Sequence, residues 1–256
     1  MLEPEYSDDY TDPRLAIFYD QMNPWWPSDD FYLDLVMSTE SVLDVGCGTG
    51  RLLRRARADG YTGRLVGLDP AAAMLDQAKV ATDVDWIHGD LGSISFDHEF
   101  DLVIMTGHVF QVFLTDDDIA RALTAVREAL ADGGRFAFET LNPLLHPWQR
   151  WTGSEDVIGP DGTVVTAANT DPRLVAGQDV TGQHVTGQIV EVVGRFSSPS
   201  WEREVLCPSR FRFTEVGALD AFLSKAGFSE VEHYGHWDRR PFTDQRPEII
   251  TIARRG

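Results

Sequence analysis

The sequence predicts an α/β fold: a doubly wound, mostly parallel sheet, with an antiparallel β insertion after the fifth strand and a helical lid at the N-terminus. Three observations lead there. Short apolar runs alternate with helical patterns from Val42 to Asn142. A glycine-rich turn, "VLDVGCGTG", follows the first apolar run. Beyond Asn142 the helical patterns stop, and apolar and polar residues alternate with period two. Strand and helix in alternation call for crossover connections and a sheet covered on both faces. Period-two alternation without helices reads as antiparallel strands.

At the front, "DPRLAIFYDQM" and "SDDFYLDLVM" read as two short helices around the stiff, bulky "NPWWP". This segment, residues 1–38, is expected to cap the open end of the sheet. The core is expected over 39–142 and 214–256. Within it "SVLDVG" is the first strand, and "TGRLLRRARADG" a helix ending near Gly60. "GRLVGLD" is the second strand. "PAAAMLDQAKV" is the next helix, with Pro70 in its first turn, where a missing N–H does no harm. "DVDWIHGD" and "FDLVIMTG" supply strands three and four. "TDDDIARALTAVREALADGG" is the clearest helix: Thr115 or Asp116 caps it, acids fill its first turn, and Gly133-Gly134 stops it. Ile119, Leu123, Val126 and Leu130 make its apolar stripe. "RFAFETLN" is the fifth strand.

From 143 to 213, "GTVVTAAN", "HVTGQIVEVVGRF" and "WEREVLCPSRFRF" read as the antiparallel insertion, expected to cover a substrate or form a dimer surface. "TEVGALDAFLSKAGF" restores a helix with Thr214 as cap and Gly227 as stop. "SEVEHYGHW" and "PEIITIARRG" close the sheet.

Composition narrows the function classes. Of 256 residues, 41 are Asp or Glu and 22 Lys or Arg, a net charge of −19. Such a field repels phosphate backbones, so nucleic acid is not an expected partner. The arginines of "RLLRRARADG" stand at helical spacing, as on a solvated face. No apolar run approaches the roughly 18 residues of a membrane helix. The acidic start, "MLEPEYSDDY", lacks the basic and apolar regions of a signal peptide. Cys47 and Cys207 fit neither a disulfide framework nor a zinc site, and no other spacing suggests a metal. A soluble cytoplasmic protein with a small-molecule substrate is expected, with a homodimer possible.

In an open parallel sheet, ligands bind at the carboxyl ends of the strands. There, Gly46, Gly48 and Gly50 let the backbone turn tightly and approach a ligand, with Cys47 and Thr49 between them. A dinucleotide fold wants G-x-G-x-x-G, but counting from Gly46 the third glycine position holds Arg51. Asp44 just ahead of the loop would repel a pyrophosphate and attract an amino group. Asp69, ending the second strand in "GLDP", can accept from a ribose diol, a charged contact of roughly 1.5–3 kcal/mol. Asp90 in "HGDL" can accept from a purine's exocyclic amine, with Leu91 beside the ring. A cationic amino-acid end, a ribose and an adenine together describe S-adenosylmethionine.

These residues carry a resemblance. "VLDVGCGTG", "GLDPAAAMLDQA", "GDL", "FDLVIMTGHV" and "LADGGRFAFET" stand in the order of the motifs of class I S-adenosylmethionine (SAM)-dependent methyltransferases, which the sequence resembles over residues 40 to 141 and in the closing "AGFSEVE…EIITIAR". The resemblance implies a seven-stranded sheet with its last strand antiparallel. It implies that Asp44 and the loop hold the methionine part, Asp69 the ribose, Met74 and Leu91 the adenine faces, and Asp90 the adenine amine. Tyr19, Pro70, Gly89, Thr106 and Gly107 complete the expected cofactor set. The acceptor, through N or O, does not follow from it.

His108, after the fourth strand, is the expected base or orienting group, since its ordinary pKa near 6.5 suits proton transfer at neutral pH. Trp25, Trp26, Gln111, His236 and Trp237 are the expected substrate contacts. Tyr19, Trp25 and Trp26 could also close over the cofactor, as aromatic faces attract a sulfonium; packing of the N-terminal helices is the other reading. Asp20 and Asn23 could reach the ligand from the same lid. His88 is expected as a satisfied buried histidine, and His98, His146 and His184 as surface residues. Two other functions compete: a nicotinamide-dependent oxidoreductase, which lacks a Tyr-x-x-x-Lys pair here, and a non-catalytic SAM-binding protein.

Overall fold

A computed structural model describes residues 5–7, 10–170, 172–175 and 185–256; His184 lies outside the described residues. Two sheets build the molecule. The larger has seven strands in the order β12-β13-β6-β5-β2-β3-β4. These are β2 (Ser41–Val45), β3 (Arg64–Asp69), β4 (Asp85–His88), β5 (Phe100–Met105), β6 (Leu130–Leu141), β12 (Phe228–Tyr234) and β13 (Glu248–Arg255). β2 pairs in parallel with β3 and β5, β3 with β4, and β5 with β6. β13, the last strand, runs antiparallel to both of its neighbours.

The period-two alternation of the strands feeds two cores. Leu43, Val103, Met105, Phe136 and Phe138 face α6 (Asp116–Ala129) and α7 (Val216–Lys225), where Ile119, Leu123, Val126, Leu219 and Leu223 meet them. Val42, Leu102, Ile104, Ala137 and Ile250 face the other way. They meet α3 (Pro27–Met37) and α4 (Arg51–Ala58) through Phe31, Leu35, Val36, Leu52 and Leu53. Each such side chain, fully buried, contributes about 1.5–3 kcal/mol.

The second sheet runs β1-β11-β10-β8-β7, with β9 on β10. It comprises β7 (Gly153–Ile158), β8 (Val164–Asn169), β9 (Arg173–Val175), β10 (Gln188–Ser197) and β11 (Val205–Phe213), plus β1 (Glu5–Tyr6), which pairs in parallel with β11. Its inner face carries Val157, Val165, Phe196 and Val205. It packs on Leu15 of α1 (Pro13–Ala16) and on Phe18, next to α2 (Tyr19–Met22). A buried junction ties the sheet to the core. Arg212 of β11, 1 % exposed, donates to Asp116 and to the Thr186 carbonyl, while Thr186 donates to Asp116.

Some local expectations are corrected. α6 ends at Ala129, not at Gly133-Gly134, and Leu130 opens β6: its carbonyl is engaged by Arg255 and a bulge absorbs the glycines. Pro70 precedes α5 (Ala72–Ala78), because Asp69 takes the Ala71 N–H and turns the chain first. Glu215, not Thr214, stands at the N-cap of α7. Strands β1, β7 and β9 were not expected.

Candidate active site

The carboxyl edge of the seven-stranded sheet, the segment around α2 and the inner face of the second sheet enclose a cleft of about 1720 Å³. At one end lies the loop after β2. Gly46, Gly48 and Gly50 all adopt positive φ (73°, 55° and 69°). They do different things. A Cβ on Gly48 would meet nothing nearer than Tyr19 Cε1 at 4.0 Å, so this glycine leaves open room on the cleft side. A Cβ on Gly50 would lie 2.2 Å from the Trp86 ring, so Gly50 seats α4 on β4 and does not line the cleft, contrary to expectation. The N–H of Gly48 donates to Asp69 Oδ2 at 2.7 Å, and that of Ala71 to Asp69 Oδ1 at 2.8 Å. Asp69 thus fixes two turns at once.

Asp44 is 1 % exposed, and its Oδ1 has no hydrogen-bond partner. Burial, with the charges of Asp69 and Glu139 nearby, pushes its carboxyl up to about 8. A carboxyl in that position has one stabilising complement: a positively charged donor. The Cys47 thiol is also pushed up by burial, which keeps it inert. Met74, Gly89, Asp90, Leu91, Thr106 and Gly107 line the same region. Asp90 Oδ1 accepts from the N–H groups of Gly92 and Ser93, both at 2.9 Å, which shapes the turn after β4. His88 is exposed rather than buried. Its Nε2 meets the Pro70 carbonyl at 2.9 Å, since β4 is the edge strand.

The N-terminal segment closes on this loop by charge. Thr49 donates to Asp20 at 2.6 Å, and Arg54 to the same carboxylate at 2.9 Å. Arg51 donates to the Asn23 carbonyl and to Asp29. Asp20 therefore holds protein groups. Trp26 lines the cleft and is 60 % exposed, but its neighbour Trp25 does not. Trp25 packs on α4 with the Arg51 and Arg55 guanidiniums over its ring, so the expected substrate contact there is corrected.

At the other end stands a cluster that sequence reasoning found only in part. His108 follows Gly107, and both have positive φ (63° and 66°). The His108 N–H donates to Glu139 Oε1 at 2.9 Å, and its ring Nε2 lies 3.1 Å from Glu248 Oε2. The other Glu139 oxygen accepts from the Tyr32 hydroxyl. Such a backbone in a non-glycine residue costs on the order of 1–3 kcal/mol and persists where its surroundings over-determine it. Burial alone would lower the His108 pKa. The Glu248 carboxylate, by hydrogen bond and charge, and the Glu139 charge outweigh it and raise it. Burial raises Glu139, and burial with the Glu139 charge drives the Tyr32 phenol well up. Trp237 lines the cleft beside this cluster, its ring centroid 6.1 Å from that of Tyr32.

Two further expected contacts are corrected. His236 lies outside the cleft, its Nδ1 3.0 Å from Asp238 Oδ1 in the loop after β12. Gln111 lines the cleft but is 1 % exposed, and protein groups engage both ends of its amide: Nε2 donates to the Arg212 carbonyl at 2.9 Å, and Oε1 accepts from the Leu141 N–H at 3.0 Å. It clamps the second sheet to β6. Gln111→Leu leaves two buried groups unpaired and is expected to cost about 2–4 kcal/mol of stability, with ligand affinity unchanged. Thermal melts and calorimetry would check this. An unshifted melting temperature with a raised acceptor KM would return Gln111 to the substrate.

Tyr32, Glu139 and Glu248 were missed. The available signal was an acid inside the otherwise apolar "FAFET" of a central strand.

Residues 42–134 match a family model described as a methyltransferase domain. Over 237 residues the chain is 30% identical to the dTDP-4-amino-2,3,4,6-tetradeoxy-D-glucose N,N-dimethyltransferase of Saccharopolyspora spinosa, covering 90% of this chain and 86% of that protein. Over 239 residues it is 27% identical to a 2-phytyl-1,4-naphtoquinone methyltransferase of Thermosynechococcus vestitus, covering 86% and 90%. The crystal structure of a sugar N-methyltransferase from Streptoalloteichus sp superposes with a TM-score of 0.71 at 18% identity, covering 100% of this chain and 97% of that one.

Proposed function

The chain belongs to the class I SAM-dependent methyltransferases and methylates a small molecule; from that premise we propose that the accepting atom is a nitrogen, with His108 taking up its proton. The observation that carries this reading is the cluster at the acceptor end of the cleft. Two carboxylates, Glu139 and Glu248, flank one histidine. That surround favours a protonated amine over an anionic oxygen.

SAM fits the other end. The unpartnered Asp44 Oδ1 suits its ammonium, and the space over Gly48 suits its amino-acid backbone. We assign Asp69 to the ribose, Met74 and Leu91 to the faces of the adenine, and Asp90 to its amine. When bound, SAM supplies a methyl group on a positively charged sulfur, which leaves as a neutral thioether when the acceptor's lone pair takes the methyl.

The chain's own residues do the rest. Glu248, accepting from Nε2–H, fixes the tautomer of His108, so Nδ1 is the proton acceptor. Glu139 holds the His108 backbone in its left-handed turn and accepts from Tyr32, which locks α3 over the site. The second sheet, on this reading, is a cover. It excludes water, and orientation within such an enclosure lowers a barrier by roughly 7–11 kcal/mol.

The relative from Saccharopolyspora spinosa is named for a dTDP-linked amino sugar, which favours nitrogen among the possible acceptors. Among the described residues no helix is long and apolar enough to cross a membrane. We propose a cytoplasmic enzyme, and its net charge of −19 argues against nucleic acid as a partner.

A mass-spectrometric screen of hydroxylated amines tests the proposal. The expected product gains one methyl for one hydrogen, and fragmentation locates it on nitrogen. A methyl group found only on oxygen or carbon would overturn the reading.

A further inference from the structure

The cleft carries more information about the acceptor than its accepting atom. Among the described residues nine carboxylates line it, against two arginines and no lysine. Asp44, Asp69 and Asp90 belong to the cofactor end, Asp20 and Asp29 hold protein groups, and Asp118 pairs with Arg121. Glu139, Glu248 and Glu155 remain for the acceptor.

Neither arginine is available to an anion. Arg51 is spent on Asp29 at 3.1 Å and on the Asn23 carbonyl. Arg121 pairs with Asp118 at 2.5 Å. The helix start nearest this end, that of α6, is occupied by its own acids, Asp116, Asp117 and Asp118. A phosphate entering the acceptor half would therefore meet like charge without a compensating donor.

The roof and the mouth point the same way. One row across the second sheet reads Gly153, Asn169, Gly194. Asn169, which is exposed, and Ser209 both line the cleft. An amide and a hydroxyl suit a neutral polar substituent. At the mouth, Met22, Pro24 and Trp26 line the cleft together with Glu155, and a smaller adjoining groove of about 480 Å³ shares those four residues. An aromatic face and a carboxylate at an entrance attract an organic cation.

We infer that the acceptor is a free amine that enters as a cation, bears an uncharged polar group, and carries no phosphate or nucleotide. This rests on the nitrogen reading above and goes further, because it excludes phosphorylated and nucleotide-linked acceptors, and so sets this chain apart from the relative named for a dTDP-linked sugar.

Matched pairs test it: ethanolamine against phosphoethanolamine, and glucosamine against glucosamine 6-phosphate. Binding to the protein loaded with S-adenosylhomocysteine is read by ligand-observed NMR, and methyl transfer by radioactive SAM. The free member is expected to bind and react at least about 100-fold better than its phosphorylated partner. In Glu155→Lys that ratio is expected to narrow by about tenfold, with SAM affinity unchanged. A phosphorylated member that matches its partner, a ratio that Glu155→Lys leaves alone, or a set in which no free amine binds, each overturns the inference. Methylation of the hydroxyl of these probes would sink the nitrogen reading alone, leaving the charge ratio as a separate result.

Discussion

Replacing His108 by asparagine is expected to lower kcat by about 10²–10⁴-fold, the usual contribution of a positioned base, with SAM affinity unchanged. Asparagine is the informative substitution because it tolerates the left-handed backbone at this position (φ 63°), whereas alanine would add strain to the loss of the imidazole. The pH dependence separates a base from a merely structural residue. His108 accepts a proton only when neutral, so kcat falls on the acid side of its pKa. That pKa is raised: Glu248 and Glu139 outweigh the opposing effect of burial. The acid limb of the profile should therefore lie above the ordinary value near 6.5. Glu248→Gln removes the hydrogen-bonded charge, and the limb should move down, since burial then dominates. Stopped turnover assays across pH would show both effects. Full activity in His108→Asn, or a limb that Glu248→Gln leaves in place, would reduce the cluster to loop structure.

The second large effect belongs to Asp44. Asp44→Asn is expected to weaken SAM binding by about 1.5–3 kcal/mol, roughly 10- to 150-fold, because the ligand's ammonium loses a buried charged acceptor. The same change should stabilise the protein without ligand. In the folded chain Asp44 titrates at about 8, far above its ordinary 3.8. A raised pKa contributes stability that is complete below the unfolded value and is lost as pH rises through the folded one. Asparagine does not ionise and escapes that loss. Melting temperatures of the two proteins should therefore diverge in favour of Asp44→Asn as pH rises from about 4 to about 8, and saturating SAM should narrow the gap. A variant less stable than the parent throughout, with undiminished affinity, would show Asp44 to be an ordinary structural acid.

The two sites were not equally legible in the sequence. The glycine loop, Asp44, Asp69 and Asp90 could be read because each sits in a short local motif at a strand end, where position in the chain fixes position in space. Tyr32, Glu139, His108 and Glu248 meet across sequence separations of 107, 31 and 140 residues, and only the sheet order brings them together. His108 alone was visible, through its place after a strand.

Trp25 and Trp26 were indistinguishable by composition and adjacency. The start of α3 sends one onto α4 and the other into the cleft. Gln111 resembled a contact because it follows His108 closely, yet the second sheet, whose docking is a long-range event, claims both ends of its amide. Gly50 matched the loop pattern, but its bare Cα serves the Trp86 ring. The end of α6 was misplaced for a related reason: Gly133 and Gly134 look like a helix stop, but Leu130 is drawn into the sheet by its pairing with Phe100 and by Arg255.

The account turns on a neutral, buried carboxyl in the empty-handed protein that becomes a carboxylate when a cation arrives. Calorimetric titration of SAM near pH 7, in buffers of different ionisation enthalpy, counts the protons exchanged. A large part of one proton should be released per SAM bound, falling away as pH rises past the Asp44 pKa and absent in Asp44→Asn. Binding with no net proton release near pH 7, or the same release from Asp44→Asn, would contradict the assignment of Asp44 to the ammonium of SAM.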